Sequence, residues 1–389
     1  MKNSIKIMIV AGEASGDAHA AKLVNALRSG WPAGKIEFFG AAGPKMREAS
    51  VEAVVEADEL AIVGLAEIGR ALPMFLRTAA DLKRAARERK PDAVILVDFP
   101  DFNLKLARSL KKQGFTIVYY ISPQLWAWRK YRISTVKKYV DLMITILPFE
   151  KAWYERRGFT RVNYVGSPLA REVRAARSKA EFCRDHELDA SRPIISLLPG
   201  SRQKEIARIL PVMLGSAARL ASVRPDIQFV VAVSTERNVA HAHRLSSATR
   251  SGATNHQEPK IVGNETYDAL ASSVAAAVAS GTATLEAAII GTPMTIVYKT
   301  SALNYALLEP FIEVPHYGLV NLIAERRVAT ELIQSEFTPT ALMNDLTRLL
   351  EPETNAEMRR SLAEVAEKLG HGGASKRAAE AILQLIKLA

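Results

Sequence analysis

Short, wholly apolar runs recur along this chain, and most are followed by residues with helical spacing. The first set is IKIMIV (5–10), EFFGAAG (37–43), AVILVDF (93–99), TIVYYIS (116–122), LMITILP (142–148) and VNYVG (162–166). Amphipathic stretches such as Ala20 to Leu27 and Leu104 to Lys112 lie between them. A strand with one wet face alternates polar and apolar residues, whereas a strand that is apolar throughout is buried on both faces. That pattern predicts parallel sheets covered by helices. After about residue 168 the chain turns polar, REVRAARSKAEFCRDHELDASRP, and then the alternation restarts. The second set is IISLLPG (194–200), IQFVVAVS (227–234), a weak PKIVG (259–263), AAAVASG (275–281) and MTIVYK (294–299), with a long helix from about Lys204. The expected architecture is α/β, with two doubly wound, Rossmann-like domains. They span 1–168 and 191–345, joined by a connector over 169–190. A helical tail over 346–389, broken at Gly370 to Gly373, is free to pack back on the first domain.

The totals fit this reading. At roughly 150 residues per domain, 389 residues give two domains or three. Cys183 is the only cysteine, so no internal disulfide forms. The opening MKNSIKIMIVAGEASG is too brief an apolar run for a signal peptide. No window reaches the roughly 18 uninterrupted apolar residues of a membrane span. The expectation is a cytoplasmic protein or one peripheral to a membrane. A net charge of +11 draws the chain towards nucleic acid, anionic lipid heads or phosphorylated substrates.

Open parallel sheets bind ligands beyond the carboxyl ends of their strands, and two tandem domains are expected to share a cleft there. Four strand-to-helix corners are candidates. In GEASGD, Gly12 and Gly16 frame Glu13 and Ser15 where a helix begins; either Ser15 or Asp17 caps that helix or the turn holds a ligand. In ILVDFPDFN, Asp98 closes a buried strand, placed either to cap the next turn or to take a proton from an attacking hydroxyl. In LLPGSRQKEI, Gly200 ends a strand, Ser201 is expected as the N-cap answered by Glu205, and Arg202 projects towards a diphosphate. In VASGTATLEAAIIGTP, pyrophosphate can rest on the amides of Gly281 and Thr282, while Glu286, the one charge in an apolar stretch, accepts both ribose hydroxyls. The carboxylate spacing does not match a divalent metal site.

Two further stretches mix apolar and basic residues. SPQLWAWRKYRISTVKKYV (122–140) interleaves Trp126, Trp128 and Tyr131 with Arg129, Lys130 and Arg132, which suits a lipid interface or single-stranded nucleic acid. Residues 61–90 join an apolar half to a basic half, as either an acyl or membrane cover or a core-facing helix.

Taken in order, GEASGD, GPKM, DFPDFN, SPQLWAWR, LPFEKAWYE, LLPGSRQKEI, ASGTATLE and LVNLIA resemble the lipid-A-disaccharide synthases from residue 5 to about 335. The resemblance implies a GT-B-type inverting hexosyltransferase of glycosyltransferase family 19, acting without metal or cofactor. Its donor would be UDP-2,3-diacylglucosamine, and its acceptor 2,3-diacylglucosamine 1-phosphate. The products would be the β-1,6 disaccharide 1-phosphate of lipid A and UDP. It assigns Asp98 as the base, and places Arg202, Glu286 and Asn321 near the uridine diphosphate. Gly12, Glu13, Ser15 and Gly16 would line the acceptor side, and Trp126, Trp128 and Arg129 would meet acyl chains or phospholipid at the inner membrane face. Ala14 stands where the family has threonine, and Val320 where it often has proline. A homodimer is left open and no nucleic acid is expected. The alternatives are another UDP-sugar transferase or epimerase of the same fold, or a basic nucleic-acid-binding protein.

Overall fold

The computed structural model describes residues 4–32, 34–57, 68–249, 258–301, 305 and 314–388. Contacts divide the chain into two units, Met1–Pro168 with His371–Ala389, and Leu169–Gly370.

The first unit carries strands β1 (Ser4–Ala11), β2 (Lys35–Ala42), β3 (Glu52–Glu56), β4 (Ala93–Val97), β5 (Ile117–Tyr120), β6 (Leu142–Thr145) and β7 (Val162–Tyr164). They pair in parallel in the order β3-β2-β1-β4-β5-β6-β7. Every residue of β4 and β5 is buried, as an apolar run covered on both faces requires. β3, EAVVE, is a strand that the apolar pattern does not announce. It lies at the sheet edge, only half-buried, with a glutamate at each end, and charged ends are usual for an edge strand. Helix Ala14–Ser29 lays Leu23, Val24 and Leu27 on the sheet, and the last helix, Ala374–Leu388, adds Ala378, Ile382 and Leu383 to the same core. Arg377 of that helix donates to the Val165 carbonyl at 2.8 Å.

The second unit holds β8 (Ile194–Leu198), β9 (Gln228–Val233), β10 (Lys260–Gly263), β11 (Ala275–Ala279), β12 (Met294–Tyr298) and β13 (Glu331–Ile333). Their parallel order is β10-β9-β8-β11-β12-β13. β13, with three residues at the other edge, is too short to show in the sequence. The polar stretch after residue 168 forms two short helices, Leu169–Glu172 and Lys179–Asp185. Between them Arg177 binds the carboxylates of Asp268 and Glu265. Among the described residues one helix, Gln203–Val223, is long and apolar enough to cross a membrane. Its stripe of Ile206, Ile209, Leu210, Met213 and Leu220 is buried in this unit's core.

Both sheets reverse their winding direction between the first and fourth strand of the unit, β1 and β4 in one, β8 and β11 in the other. Doubly wound sheets open a crevice at that point. The register brings Ala11 beside Val97, and Leu198 beside Val278. GEASGD therefore meets DFPDFN, and GSR meets SGTATLE.

Candidate active site: the two strand-end crevices

In the first crevice Asp98 and Phe99 leave β4 in successive left-handed conformations, with φ of 45° and 49°. For residues with a side chain such backbone costs about 1–3 kcal/mol each, and it clusters at functional sites. The ring of Phe99 lies so close to Gly12 that a Cβ there would fall 2.4 Å from it. Glycine is thus required for the two strand ends to close on one another. Burial pushes the Asp98 carboxyl up to about 6; nearby Glu13 acts in the same direction and the Phe99 amide against it. Glu13 is exposed and is the N-cap of helix Ala14–Ser29, though its side chain makes no cap bond. Ser15 is exposed beside it, and Gly16 is buried.

Asp17 behaves otherwise. It is buried, and its carboxylate accepts the amides of Gly43, Lys45 and Met46 at 3.0, 2.8 and 3.1 Å. The expected cap of its own helix is therefore corrected: Asp17 caps helix Pro44–Glu48, the GPKM segment.

In the second crevice the expected cap at Ser201 is also corrected. Arg202 is the N-cap of helix Gln203–Val223, without a side-chain cap bond. The Glu205 carboxylate reaches back to the Ser201 amide at 3.1 Å and to that of Arg202. Those two amides are taken, which leaves the first-turn amides of Gln203 and Lys204 without an acceptor among the described residues. Arg202 itself is exposed, and its guanidinium makes no hydrogen bond or ion pair among the described residues. At the other wall Gly281 takes φ 155°, with open space where a Cβ would stand. The amides of Gly281 and Thr282 donate to no acceptor among the described residues. Thr282 is the N-cap of helix Ala283–Ile290. Glu286 lies in its first turn, and burial raises its carboxyl pKa. That carboxylate has no hydrogen-bond or ion-pair partner among the described residues, but its field helps push Tyr267 up to about 12, chiefly a burial effect.

The side chain of Asn321, expected near the uridine diphosphate, serves as a buttress. It is fully buried, donates to the Ala329 carbonyl and Glu331, and accepts the amides of Val328 and Ala329. No hydrogen-bonding group of that side chain is left for a ligand. Glu331 in turn accepts the amides of Tyr317 and Gly318, and so fixes the start of helix Leu319–Ala324.

Trp126 is corrected likewise. It is buried, with its indole N–H on Glu150 at 3.1 Å and its ring edge-on to Phe149, so it cannot meet lipid. Glu150 also accepts the Ile146 and Leu147 amides, and burial pushes its carboxyl up to about 7. Trp128 does reach the surface, with the Arg129 guanidinium 4.1 Å above its ring and paired with Asp101. Leu72 and Leu76, from helix Ile68–Arg89, are 53% and 62% exposed. Residues 61–67 of the expected acyl cover lie outside the described residues.

Sequence reasoning passed over Tyr119 and Asn103. Tyr119 donates to the Asp98 carbonyl, as does Asn103, which also donates to the Val97 carbonyl. The asparagine inside DFPDFN was the available signal. No group of three or more His, Cys, Asp or Glu among the described residues could hold a metal.

Comparison with known proteins agrees with the motifs. The family model described as Lipid-A-disaccharide synthetase matches residues 7–386. The chain is 41% identical over 387 residues to a lipid-A-disaccharide synthase of Myxococcus xanthus, covering 99% of each chain. It is 42% identical over 387 residues to one of Syntrophus aciditrophicus, again covering 99% of each. In fold it is similar to the solved structure of a putative UDP-N-acetylglucosamine 2-epimerase from Listeria monocytogenes, with a TM-score of 0.66 at 14% identity, covering 99% of this chain and 98% of that one. The crevices and the family agree, and this chain belongs to the lipid-A-disaccharide synthetase family.

Proposed function

We propose that the chain transfers a sugar from UDP-2,3-diacylglucosamine to the 6-hydroxyl of 2,3-diacylglucosamine 1-phosphate, with Asp98 as the base. Family membership makes it a disaccharide-forming glycosyltransferase, with a UDP-sugar donor and a lipid acceptor. In the proposed step Asp98 takes the proton of the acceptor hydroxyl, its oxygen bonds to the anomeric carbon with inversion, and the bond to the diphosphate breaks. UDP leaves with the electron pair. The observation that carries this reading is the carboxyl at the β4 end, whose proton affinity burial pushes up to about 6. Such a group is ionised at neutral pH yet more basic than an ordinary carboxylate.

The second unit holds the donor. The free amides of Gly281 and Thr282 receive the diphosphate, the unpaired Arg202 balances its growing charge, and Glu286 accepts the ribose hydroxyls. Gly200 and Ser201 border the donor at this corner; Glu205 holds the Ser201 amide, and the Ser201 hydroxyl faces the ligand. Gly12, Glu13, Ser15 and Gly16 border the acceptor beside Asp98. Trp128, Arg129 and Tyr131, with Leu72 and Leu76, give the first unit a half-apolar, half-basic surface suited to the inner membrane face, where the protein binds peripherally.

The test is UDP release from donor plus acceptor by the wild type and Asp98→Asn, with UDP binding measured by calorimetry. The expected result is turnover lowered about 10²–10⁴-fold with UDP affinity intact. Near-normal turnover in the variant removes Asp98 from the mechanism.

A further inference from the structure

We propose that Asn103 is a positioning residue for Asp98: its side-chain amide, joined by the Tyr119 hydroxyl, clamps the left-handed turn that presents Asp98 at the end of β4. Two successive non-glycine residues at φ 45° and 49° persist only where the surroundings over-determine them. Here two donor groups do so, through three hydrogen bonds. Asn103 Nδ2 donates to the Val97 carbonyl at 3.1 Å and to the Asp98 carbonyl at 2.8 Å. Tyr119 Oη donates to that second carbonyl at 2.7 Å. The Asp98 amide is held as well, by the Tyr120 carbonyl at 3.0 Å. Both peptide groups flanking Asp98 are therefore fixed, and only its side chain is left for chemistry.

The choice of residues fits no simpler role. Asn103 is fully buried in helix Pro100–Lys111, where asparagine is a poor helix former, and its Oδ1 is buried without a partner. Packing alone would favour leucine there. Leucine, however, would take its donor from the Val97 carbonyl and leave the Asp98 carbonyl to Tyr119 alone, and an ionised aspartate would bring no donor. Burial holds the Tyr119 hydroxyl well above its ordinary pKa, so it remains a donor throughout the working range.

The groups that face Asp98 are Glu13 at the start of helix Ala14–Ser29 and Tyr119 on β5; Tyr119 in turn feels Tyr154, Arg132 and Asp101. All but the Tyr119 hydroxyl survive in the variants below. A freed turn lets the Asp98 carboxyl reach water, and its proton affinity then falls towards that of an ordinary carboxylate.

This inference rests on Asp98 being the base, so Asp98→Asn is assayed alongside. The measurement is kcat against pH for Asn103→Ala, Asn103→Ser and Tyr119→Phe in the full chain. The expected result for Asn103→Ala is kcat lowered about 10–100-fold. Its KM for the UDP-sugar stays unchanged, and its acidic limb is displaced below the wild-type position. Tyr119→Phe moves both readings the same way by less, and the serine variant, which keeps one donor, recovers part of the loss. A loss of kcat with the limb unmoved is what general loosening of the fold would give, and it overturns the proposal, as does unchanged kcat. If Asn103→Ala is insoluble, Tyr119→Phe, which lacks a single oxygen, decides. Turnover retained by Asp98→Asn would remove the base and the clamp together. An inactive Asp98→Asn beside wild-type behaviour of the other variants removes the clamp alone.

Discussion

At the first strand-end crevice burial raises the proton affinity of the Asp98 carboxyl, and the like charge of Glu13 adds to it. At the second, Arg202 stands unpaired, the amides of Gly281 and Thr282 are unclaimed, and Glu286 has no partner among the described residues. The two sheets have the same winding and put their crevices at equivalent strand ends. Topology thus fixes an address, and the side chains there decide whether it suits a proton acceptor or an anion. The contrast also separates two kinds of acidic residue. Asp17, Glu150, Glu205 and Glu331 spend their oxygens on backbone amides and hold loops. Glu13 and Glu286 make no hydrogen bond or ion pair among the described residues, and Glu286 makes none although burial raises its carboxyl pKa.

The largest effect expected from this contrast is on the anion side. Arg202→Ala removes a charge-assisted contact, typically about 1.5–3 kcal/mol, and so weakens UDP binding about 10–100-fold by calorimetry. Glu286→Gln is expected to weaken UDP binding by about tenfold but leave inorganic pyrophosphate binding unchanged, because its proposed partner is the ribose. Wild-type UDP affinity in both variants would dissolve the distinction between the crevices.

Much of the fold was legible because buried parallel strands are apolar throughout, as β4, β5 and β11 are. The edge strands β3 and β13 were not, because an edge is half-wet or short and carries charge. The corners holding Asp98, Arg202 and Glu286 could be read from their place after such runs. What could not be read was the occupancy of each polar group. Asn321 and Trp126 look like ligand contacts in sequence, yet their hydrogen bonds are spent inside the protein. Ser201 looks like a cap, but Glu205 one turn on supplies the cap instead. Such assignments depend on which of several local acceptors an amide reaches, and spacing alone leaves several open.

The next effect is on stability. Asp98 binds its proton more tightly folded than unfolded, from 3.8 up to about 6. The folded state therefore takes up more protons across that window, and its stability falls as pH rises through it. The full shift sets an upper bound of about 3 kcal/mol. Asp98→Asn is thus expected to be more stable than the wild type at pH 7, by about 1–2 kcal/mol in urea unfolding. The gain should shrink towards zero near pH 4. A variant less stable at pH 7 would mean that the carboxylate is a structural anchor like Asp17.

The smallest expected effect divides Asp98's proton affinity between its two causes. Burial is the larger and the Glu13 charge the smaller. Glu13→Gln removes only the like charge, so the Asp98 carboxyl should give up its proton more readily. The acidic limb of kcat should then move downward by less than about one pH unit, and remain above an ordinary carboxylate because burial persists. Arg202→Ala and Glu286→Gln change the other crevice and should leave that limb where it is. An unmoved limb in Glu13→Gln would make Glu13 a bystander and reduce the first crevice to one buried carboxyl. A limb moved as far as the ordinary carboxylate range would instead make charge repulsion, and not burial, the main source of the base's strength.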